Sequence, residues 1–501
     1  MSDQEKLPYE AEIKRTYEAA TKLAGSSWVT SENAEIRNAL QSLRSQARQA
    51  TQNDPHAQGF LQNLEAQVVG PEGIGLQIQL RAQGRGSRQR GARAKSEEIE
   101  DLWQTWGDQR VDAADRFDWA ALQRLVIRET AEAGEVLVRM VVLNGELKLE
   151  MVECDQLDYL YERPMNKDTG MTWRLGVGLD RWKKRVRYAV LPYHPGDLYY
   201  DQLPSRGEHI FVPATEMLQI FRTRRVGQVR GIPWTVSSLV LLAHLRGYEE
   251  NTAIRARATS GGVAFIKRTE DSLGATLADE EVTDEFGDRQ KITHSRPGTY
   301  HYLNPGEDIT VPDWRAPANE HEMYIRATLR SAATGMGISY ESLSGDHSQS
   351  NYSSSRMAML KERDNYRIAQ ALLIEELLTP VFIRWLDNEV RQGRLSVTPE
   401  QRRQLVTGRA LAWHPRGWPW VDPSKDVQAT VTAVAAGFRS ASDVVAEQGR
   451  DFQSVVMERQ RDKEMLEEAG LPTTVGAAQT TAQPQANENP GNPTATDGQP
   501  E

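Results

Sequence analysis

The chain has 501 residues, of which 39% are apolar, and its 60 basic and 70 acidic side chains give a formal net charge of -10. At roughly 100–200 residues per domain this length suggests about three units, and the acidic balance argues against tight binding of phosphate backbones by clustered Lys and Arg. With Cys154 as its one cysteine and no apolar run long enough for a membrane span or a signal segment, we expect a soluble product of a reducing intracellular compartment.

The N-terminal part predicts a mixed α+β unit. Residues 1–70 are mostly helical in pattern, and Arg44 and Arg48 lie one turn apart on one of these helices. Residues 81–95 form a basic, glycine-containing stretch that we interpret as a loop. Further along, two alternating runs flank Asn144-Gly145, the pair that favours a type I′ hairpin turn.

Two helices then enclose a small acidic insert. The first is predicted from Trp234 for about 25 residues, with Pro233 at a position where a first helical turn tolerates proline. The insert, 263–316, is strand-like and turn-rich, and between Glu270 and Asp288 it carries eight acidic residues and no basic one. The second helix is predicted to begin at Asn319, a capping residue, and to end at Gly335.

A polar loop and a long helix follow. The loop is rich in serine and lacks Lys and Arg from Glu341 to Ser355. The helix is predicted over 353–392 with a kink at Pro380, which removes a backbone donor. Its predicted apolar face consists of Met357, Leu360, Ile368, Ala371, Leu372, Leu378, Phe382, Trp385 and Leu386. After further helices, residues 471–501 have too few apolar side chains to order themselves.

The sequence lacks the motifs of most enzymes. No G-x-x-x-x-G-K-[ST] loop is present to cradle a triphosphate. The nine histidines are scattered among turn residues, and one cysteine offers little to a zinc site. We therefore expect no catalytic residues, no metal and no cofactor, and favour a structural or interaction protein.

Several segments together resemble the phage portal proteins of the lambda type. The sequence GMGISYESLSGDHSQSNYSSSRMAMLKERD resembles the family's signature, and RVGQVRGIPW, 225–234, resembles its R-x-G-Q-x-R-G-[VI]-P motif. The stretch 413–429 is similar to its tryptophan-proline segment, and the helix with Arg44 and Arg48 to its N-terminal arginine helix. The signature positions are Gly337, Tyr340, Glu341, Leu343, Asp346, Ser348, Tyr352, Ser353 and Arg356. The resemblance spans about residues 10–470.

The resemblance implies an α+β portal fold that assembles as a ring of about twelve subunits. The ring would occupy one capsid vertex of the virion and conduct double-stranded DNA during genome packaging and ejection. The units would be a mixed α/β wing (1–233), stem helix 1 (234–262), a small β-containing clip (263–316), stem helix 2 (317–337), a channel loop (338–352), a long kinked wing helix (353–394), a helical C-terminal crown (395–470) and a disordered tail (471–501).

The resemblance also implies site residues and partners. The DNA-facing channel loop would present Glu341, Ser344, Gly345, Asp346, His347, Ser348, Gln349 and Asn351. Its hydroxyls and amides would make weak, exchangeable contacts, because strong Lys or Arg contacts would hold the DNA. The partner-docking clip residues would be Asp279, Glu280, Glu281, Asp284 and Glu285. Expected partners are the large terminase subunit, the head–tail adaptor, and the major capsid and scaffold proteins, with no membrane.

Four interpretations stay open from the sequence. The clip acids form either a docking face for a basic partner or a solvated edge. The arginines of 81–95 either touch packaged DNA or scaffold, or only solubilise the chain. Tyr248, Leu242 and Leu245 contact either a neighbouring subunit or their own, and Trp413, Trp418 and Trp420 are expected to pack in the core. The alternative function is a metal-dependent DNA-processing enzyme using the acidic cluster 270–288.

Overall fold

A computed structural model describes residues 31–81, 87–197, 208–260, 265–268, 280–283, 289–292, 307–310, 318–349, 351–418, 423–448, 452–468 and 470. The chain divides into one unit ending at Pro423 and a second beginning at Ser424. The helices are Glu32–Asn53 (α1), Pro55–Leu64 (α2), Ser87–Asp108 (α3), Trp119–Glu132 (α4), Leu239–Ser260 (α5), Ala318–Met336 (α6), Tyr340–Ser344 (α7), Tyr352–Leu373 (α8), Thr379–Arg391 (α9), Pro399–Val406 (α10), Pro423–Ala435 (α11), Ala441–Glu447 (α12) and Phe452–Glu468 (α13).

The strands of the described residues pair antiparallel. They are Gly75–Ile78 (β1), Glu135–Leu143 (β2), Glu146–Val152 (β3), Thr172–Arg174 (β4), Val177–Leu179 (β5), Arg185–Val190 (β6), Ile210–Pro213 (β7), Met217–Phe221 (β8), Phe265–Arg268 (β9), Glu280–Thr283 (β10), Arg289–Ile292 (β11), Glu307–Thr310 (β12) and Leu411–His414 (β13). The sheets have the orders β3-β2-β8, β4-β5-β6-β7, β1-β13, β12-β9 and β10-β11. The prediction of a mixed α+β fold is confirmed.

The hairpin predicted at Asn144-Gly145 is confirmed. Leu143 pairs with Glu146, so the turn has two residues. Asn144 and Gly145 have φ of 52° and 83°, the left-handed conformations that a type I′ turn requires. The strongest local signal in the sequence thus sets the register of the central β2–β3 pair.

The main hydrophobic core joins helices from distant parts of the chain. Trp103 of α3 stacks on Trp106 at 4.7 Å between ring centroids and meets Phe382 and Trp385 of α9 edge-on at 5.3 and 5.2 Å. Trp413 of β13 lies 6.5 Å from the Trp103 ring. Trp413 and Trp418 are partly buried against this core, as expected, whereas Trp420 lies outside the described residues.

Helices α5 and α6 pack closely against each other. The Ser238 hydroxyl, next to α5, donates to the Ala332 carbonyl of α6 at 2.8 Å. A Cβ at Gly335 would lie 2.5 Å from the Ser238 Oγ atom, so glycine permits this approach. Leu242 and Leu245 are buried within the subunit, and the Tyr248 ring lies 4.5 Å from that of Tyr324.

The ends of these two helices differ from the sequence prediction. Residues 234–238 form turns, and α5 begins only at Leu239. The Trp234 amide donates to the Ala131 carbonyl at 2.9 Å. Helix α6 already includes Ala318, so Asn319 lies inside the helix. Gly335 is helical too, and Gly337, with φ of 76°, takes the left-handed position after the helix.

The long helix has the predicted extent but not the predicted buried face. Helix α8, a π-helical segment Ile374–Leu378 and α9 follow one another without a break. Pro380, where a kink is predicted, is the second residue of α9, and the π-helical segment ends two residues before it. Leu378, Phe382, Trp385 and Leu386 are buried, but Met357, Leu360 and Ile368 are exposed.

The basic stretch 81–95 is largely helical, so the prediction of a loop there is wrong. Helix α3 begins at Ser87, and residues 82–86 lie outside the described part. Arg93 pairs with Glu97 and Lys95 with Glu98, at 2.9 and 2.8 Å. These pairs on the helix surface neutralise part of the basic charge that the sequence suggested was free.

The insert and the C-terminal unit are described in part. Within the insert, β10 carries Glu280 and Glu281, which lie opposite Ile292 and Lys291 of β11. Asp279, Asp284 and Glu285 lie outside the described residues. The described residues of the C-terminal unit form three helices, and Ser440 caps α12 by accepting from the Asp443 amide. No described helix has the length and apolarity needed to cross a membrane.

Candidate functional site

The signature loop, residues 338–349, is built around a short helix. The Ser339 side chain caps α7 by accepting from the Ser342 amide, and Gly345 ends it with φ of 69°. The Ser344 hydroxyl donates back to the Tyr340 carbonyl at 2.7 Å. The loop is therefore more ordered than its glycine- and serine-rich sequence suggests.

Asp346 organises the second half of the loop. Its carboxylate accepts from the Tyr340 hydroxyl at 2.9 Å and from the Ser348 amide at 3.0 Å. Hydrogen bonds from the Ser348 hydroxyl and amide and from Tyr340 lower the pKa of Asp346 to about 2. Asp346 thus remains an anion at neutral pH.

An arginine from the preceding helix reaches this loop. Arg326 of α6 lies 3.4 Å from the Asp346 carboxylate and donates to the Ser348 hydroxyl at 3.2 Å. The sequence of the loop contains no Lys or Arg, but the fold supplies a cation. Part of the negative charge expected to repel phosphate is therefore neutralised within the subunit.

Glu362 of α8 fastens the start of the loop. Its carboxylate accepts from the Ser342 hydroxyl at 2.8 Å and from the Ser339 amide at 3.2 Å. The Tyr366 hydroxyl also donates to Glu362, and the Asn365 amide donates to the Gly337 carbonyl at 2.6 Å. These contacts bind residues 337–342 to the long helix and leave the end of the loop as its most exposed part.

The predicted loop residues therefore fall into two groups. Gly345, His347, Ser348, Gln349 and Asn351 are exposed. Glu341, Ser344 and Asp346 are half-buried. Asn351 has a structural role that the sequence analysis missed, because its side chain caps α8 by accepting from the Ser354 amide.

A fully buried charge network, which was not predicted from the sequence, lies inside the first unit. Arg44 and Arg230 lie 2.6 and 2.5 Å from the same Glu135 oxygen. The second Glu135 oxygen accepts from the Gln219 amide at 2.8 Å and the Gly231 backbone at 2.9 Å. Burial alone would raise the pKa of Glu135, but Arg230 and Arg44 lower it.

This network explains two sequence motifs that had no assigned role. Arg230 and Gly231 belong to the motif at 225–234, and Arg44 to the N-terminal arginine helix. Arg230 also donates to the carbonyls of Cys154, Leu157 and Leu175 at 2.9–3.0 Å. The motifs therefore join α1, the β2–β3 hairpin and the chain leading to α5 into one body.

A carboxylate–histidine cluster lies at the outer end of this network. Oxygen and nitrogen atoms of Glu153, Asp155 and His194 lie within 4.8 Å of one another, close enough for shared ligation. However, Arg48 already lies 2.5 Å from Asp155 and 3.4 Å from Glu153. Because the Arg48 guanidinium already interacts with both carboxylates, we assign no metal to this cluster.

The Asp155 interactions predict a pH-dependent stability. Burial alone would raise the pKa of Asp155, but Arg44 and Arg48 lower it to about 2. Its folded pKa lies below the unfolded value, so this stabilisation is complete above pH ~4 and is lost as the pH falls toward 2. We expect urea unfolding to show Asp155→Asn about 2 kcal/mol less stable than the native chain at pH 6. That difference should shrink as the pH falls through 4 and vanish only below about pH 2, and a difference independent of pH would contradict the assignment.

Comparison with known sequences places the chain in a protein class. The sequence model described as phage portal protein, lambda family, matches residues 25–370. A probable portal protein of Halomonas phage phiHAP-1 is 28% identical over 481 residues, which cover 94% of this chain and 90% of that protein. Portal protein B of Escherichia phage lambda is 24% identical over 182 residues, 35% of this chain and 34% of that one.

Structural comparison gives weaker likenesses. A chain from the neck of a native gene transfer agent particle, computed with C12 symmetry, has 14% identity and a TM-score of 0.45, covering 87% of this chain and 99% of that one. An HK97-family phage portal protein from Corynebacterium diphtheriae has 11% identity and a TM-score of 0.32, covering 77% and 98%. TM-scores this low do not bear on function.

The sequence matches define a phage portal protein, a structural component of a virion. Because the family model covers well over half of the chain, the chain belongs to the lambda family of phage portal proteins.

Proposed function

We propose that this chain is the portal subunit that closes into a ring at one capsid vertex and conducts double-stranded DNA during genome packaging and ejection. The family match over residues 25–370 carries this proposal. We propose further that the ring assembles in the host cytoplasm from about twelve subunits. The metal-dependent DNA-processing alternative has no support from the family match.

The order of elements supports assigning parts of the ring. Helices α5 and α6 pack together and flank the insert 263–316, as a two-helix stem with a clip at its end would require. The loop 338–349 follows directly after α6 and is proposed to face the channel. The β-rich region before α5 and the helix α8–α9 would form the wing, and residues 395–470 the crown.

The insert is the proposed docking surface for the large terminase subunit and later the head–tail adaptor. Glu280 and Glu281 on β10, with Asp279, Asp284 and Glu285 beside them in sequence, would attract a basic partner surface. Contacts of the wing with capsid and scaffold proteins complete the proposed set of partners. Charge reversal of Glu280 and Glu281 should weaken terminase or adaptor binding at low salt more than at high salt.

Particle size tests the ring directly. A single chain has a mass of 56.4 kDa, so light scattering separates it clearly from a ring of many copies. Electron micrographs of the purified protein should show particles with a central opening. Compact single particles without an opening, under conditions that assemble other portal proteins, would refute the proposed function.

Lysines in the channel loop should slow DNA movement. We expect the triple variant Ser344→Lys, Ser348→Lys, Gln349→Lys to assemble normally but to package or eject DNA several-fold more slowly. Each subunit would add three cations, and each neutralised phosphate increases DNA affinity. In vitro packaging into proheads, measured as DNase-protected DNA, checks this result.

A matched triple variant controls for the added charge. Gln52→Lys, Gln104→Lys and Gln428→Lys change three exposed glutamines on helices outside the loop. Packaging by this control should stay near the native rate. Equal rates for the loop variant, the control and the native chain would argue against a channel position for the loop.

A further inference from the structure

A cleft in the first unit is lined by the four-stranded sheet, the loop 225–229 and the start of α1. Its volume is about 520 Å³, within the range of ligand-binding sites in proteins. Thr172 of β4, Leu179 of β5 and Arg185 of β6 are neighbours in register across the sheet, and all three line the cleft. The sheet therefore supplies a regular surface for a bound molecule.

Helix α1 holds the loop part of the cleft in place. The Asn33 side-chain amide donates to the Gly227 carbonyl at 2.8 Å, and its oxygen accepts from the Val229 amide at 3.0 Å. Arg225 lies 2.9 Å from a Glu32 oxygen, so these two charges compensate each other. The cleft is therefore formed by the folded subunit itself, before any ligand binds.

The charged residues that line the cleft are mostly cations. Besides the pair of Arg225 and Glu32, they are one acid, Asp180, and four bases, Arg174, Arg181, Lys183 and Arg185. One Asp180 oxygen accepts from the amides of Trp182 and Lys184 at 2.8 Å, so this carboxylate shapes the turn between β5 and β6. Among the residues that the structure describes, none of the four bases has a carboxylate partner. The cleft thus carries excess positive charge on a chain whose net charge is -10.

Two of these cations have positions that local structure alone does not explain or leave free. Lys183 has φ of 64°, in the left-handed region that favours glycine or asparagine. The Arg185 guanidinium donates to the Gln219 carbonyl at 3.0 Å and lies 4.8 Å from the centre of the Phe221 ring. A disfavoured backbone position that holds a charged residue is typical of binding sites. The Arg185 charge is fixed in place before a ligand arrives.

Exposed apolar side chains accompany the cations. Met165 and Val226 line the cleft with exposed fractions of 59% and 103%. Trp182, between two of the lining bases, is 77% exposed. Large apolar side chains exposed close together mark an interaction site. The phosphates of a DNA backbone would leave them uncovered, whereas a peptide can present carboxylates and apolar side chains together.

We propose that this cleft binds an acidic peptide segment of a partner protein, with apolar side chains between its carboxylates. The carboxylates pair with Arg174, Lys183 and Arg185, and arginine can hold a carboxylate through two parallel hydrogen bonds. The apolar side chains of the peptide cover Met165 and Val226. Opposite charge guides the segment to this part of an otherwise acidic chain. The site lies within one subunit, so the inference goes beyond the proposed function and does not need the ring.

Fluorescence anisotropy with a labelled peptide of repeated Glu-Glu-Leu tests the cleft. We expect the native chain to bind this peptide and not a peptide of repeated Gln-Gln-Leu. The double variant Arg174→Gln, Lys183→Gln should bind about tenfold more weakly, because it loses two charge-assisted contacts. Both side chains are exposed, so the urea midpoint should stay at the native value. The control double variant Lys361→Gln, Arg409→Gln removes two exposed cations outside the cleft and should bind like the native chain.

A third variant tests the apolar part of the site separately. Val226→Ser removes an exposed apolar side chain without changing any charge. It should weaken binding of the Glu-Glu-Leu peptide several-fold and leave the binding of a peptide of glutamates alone unchanged. Equal affinity of the native chain and Val226→Ser for the Glu-Glu-Leu peptide would contradict the apolar contact.

Competition identifies the class of ligand. A random-sequence DNA duplex and inorganic phosphate should displace the labelled peptide less well than the unlabelled peptide does. If the duplex binds more tightly than the peptide and loses affinity in the Arg174→Gln, Lys183→Gln variant, the cleft is a nucleic-acid site and the inference is overturned. A native chain that does not bind the acidic peptide, or a cleft variant that binds it equally well, also overturns it. Particle size of the same samples reports on the ring independently, since the cleft variants should assemble as the native chain does.

Discussion

Glu135→Gln is expected to destabilise the folded subunit by about 3–5 kcal/mol, because it leaves the Arg230 guanidinium buried without a counterion. Arg44 would keep Asp155 as its one remaining carboxylate partner. Both arginines lie within 2.6 Å of one Glu135 oxygen, and Glu135 has no exposed surface. Glutamine keeps the size and a hydrogen-bonding amide, so the loss reports the missing charge. Urea unfolding followed by tryptophan fluorescence measures it.

The neighbouring acid Glu153 provides the control. It pairs with Arg48 at 3.4 Å but is 47% exposed, so Glu153→Gln should cost less than about 1 kcal/mol. A Glu135→Gln chain within 1 kcal/mol of the native stability would contradict our account. It would mean that water or another carboxylate compensates the two arginines.

Gly231→Ala is expected to cost at least about 3 kcal/mol, because no side chain can be accommodated there without moving backbone. A Cβ at this position would lie 2.0 Å from the Gly134 carbonyl oxygen and 2.7 Å from the Phe221 Cβ. The Gly134 carbonyl is part of the backbone, so it cannot move away from the added Cβ as the end of a flexible side chain can. The shift would also disturb the hydrogen bond from the Gly231 amide to Glu135.

Gly59→Ala is the matched control for this second prediction. Gly59 lies inside α2, and nothing lies within 4 Å of its added Cβ. Alanine there should stabilise the chain by about 0.5–1 kcal/mol, since glycine is a poor helix former. Thermal unfolding should therefore move in opposite directions for the two variants, and a shift in the same direction would show that the close approach at Gly231 is not rigid.

Short-range signals in the sequence predicted local structure well. The Asn144-Gly145 pair predicted the hairpin because a type I′ turn needs two left-handed residues, a condition that few dipeptides meet. The long helix was predicted close to its observed ends, 352 and 391, because its periodic pattern continues over many turns. The family signature likewise depends on consecutive residues.

Burial and long-range pairing followed from tertiary structure alone. Helical periodicity predicted the apolar face of α8 at Met357, Leu360 and Ile368, which are exposed, whereas the face that packs on the core carries Tyr366, Ala369 and Leu373. The period of a pattern does not reveal which face of a helix is buried. The basic stretch around Arg93 was predicted to be a loop because it contains several glycines. In the structure it is helical, and Glu97 and Glu98 pair with Arg93 and Lys95 along the helix. Arg326 pairs with Asp346 because the loop folds back beside α6.

By itself, the sequence determined the family, the order of helices and strands, and the serine-rich loop between two helices. Tertiary structure decided which charges neutralise one another: Glu135 meets Arg44 and Arg230 from positions 91 and 95 residues away. Local patterns reflect backbone preferences over a few residues, whereas a buried ion pair depends on the full path of the chain. Sequence periodicity does not contain that path. Arg44 and Arg230 could therefore be recognised as motif residues, but their shared contact with Glu135 could not be predicted.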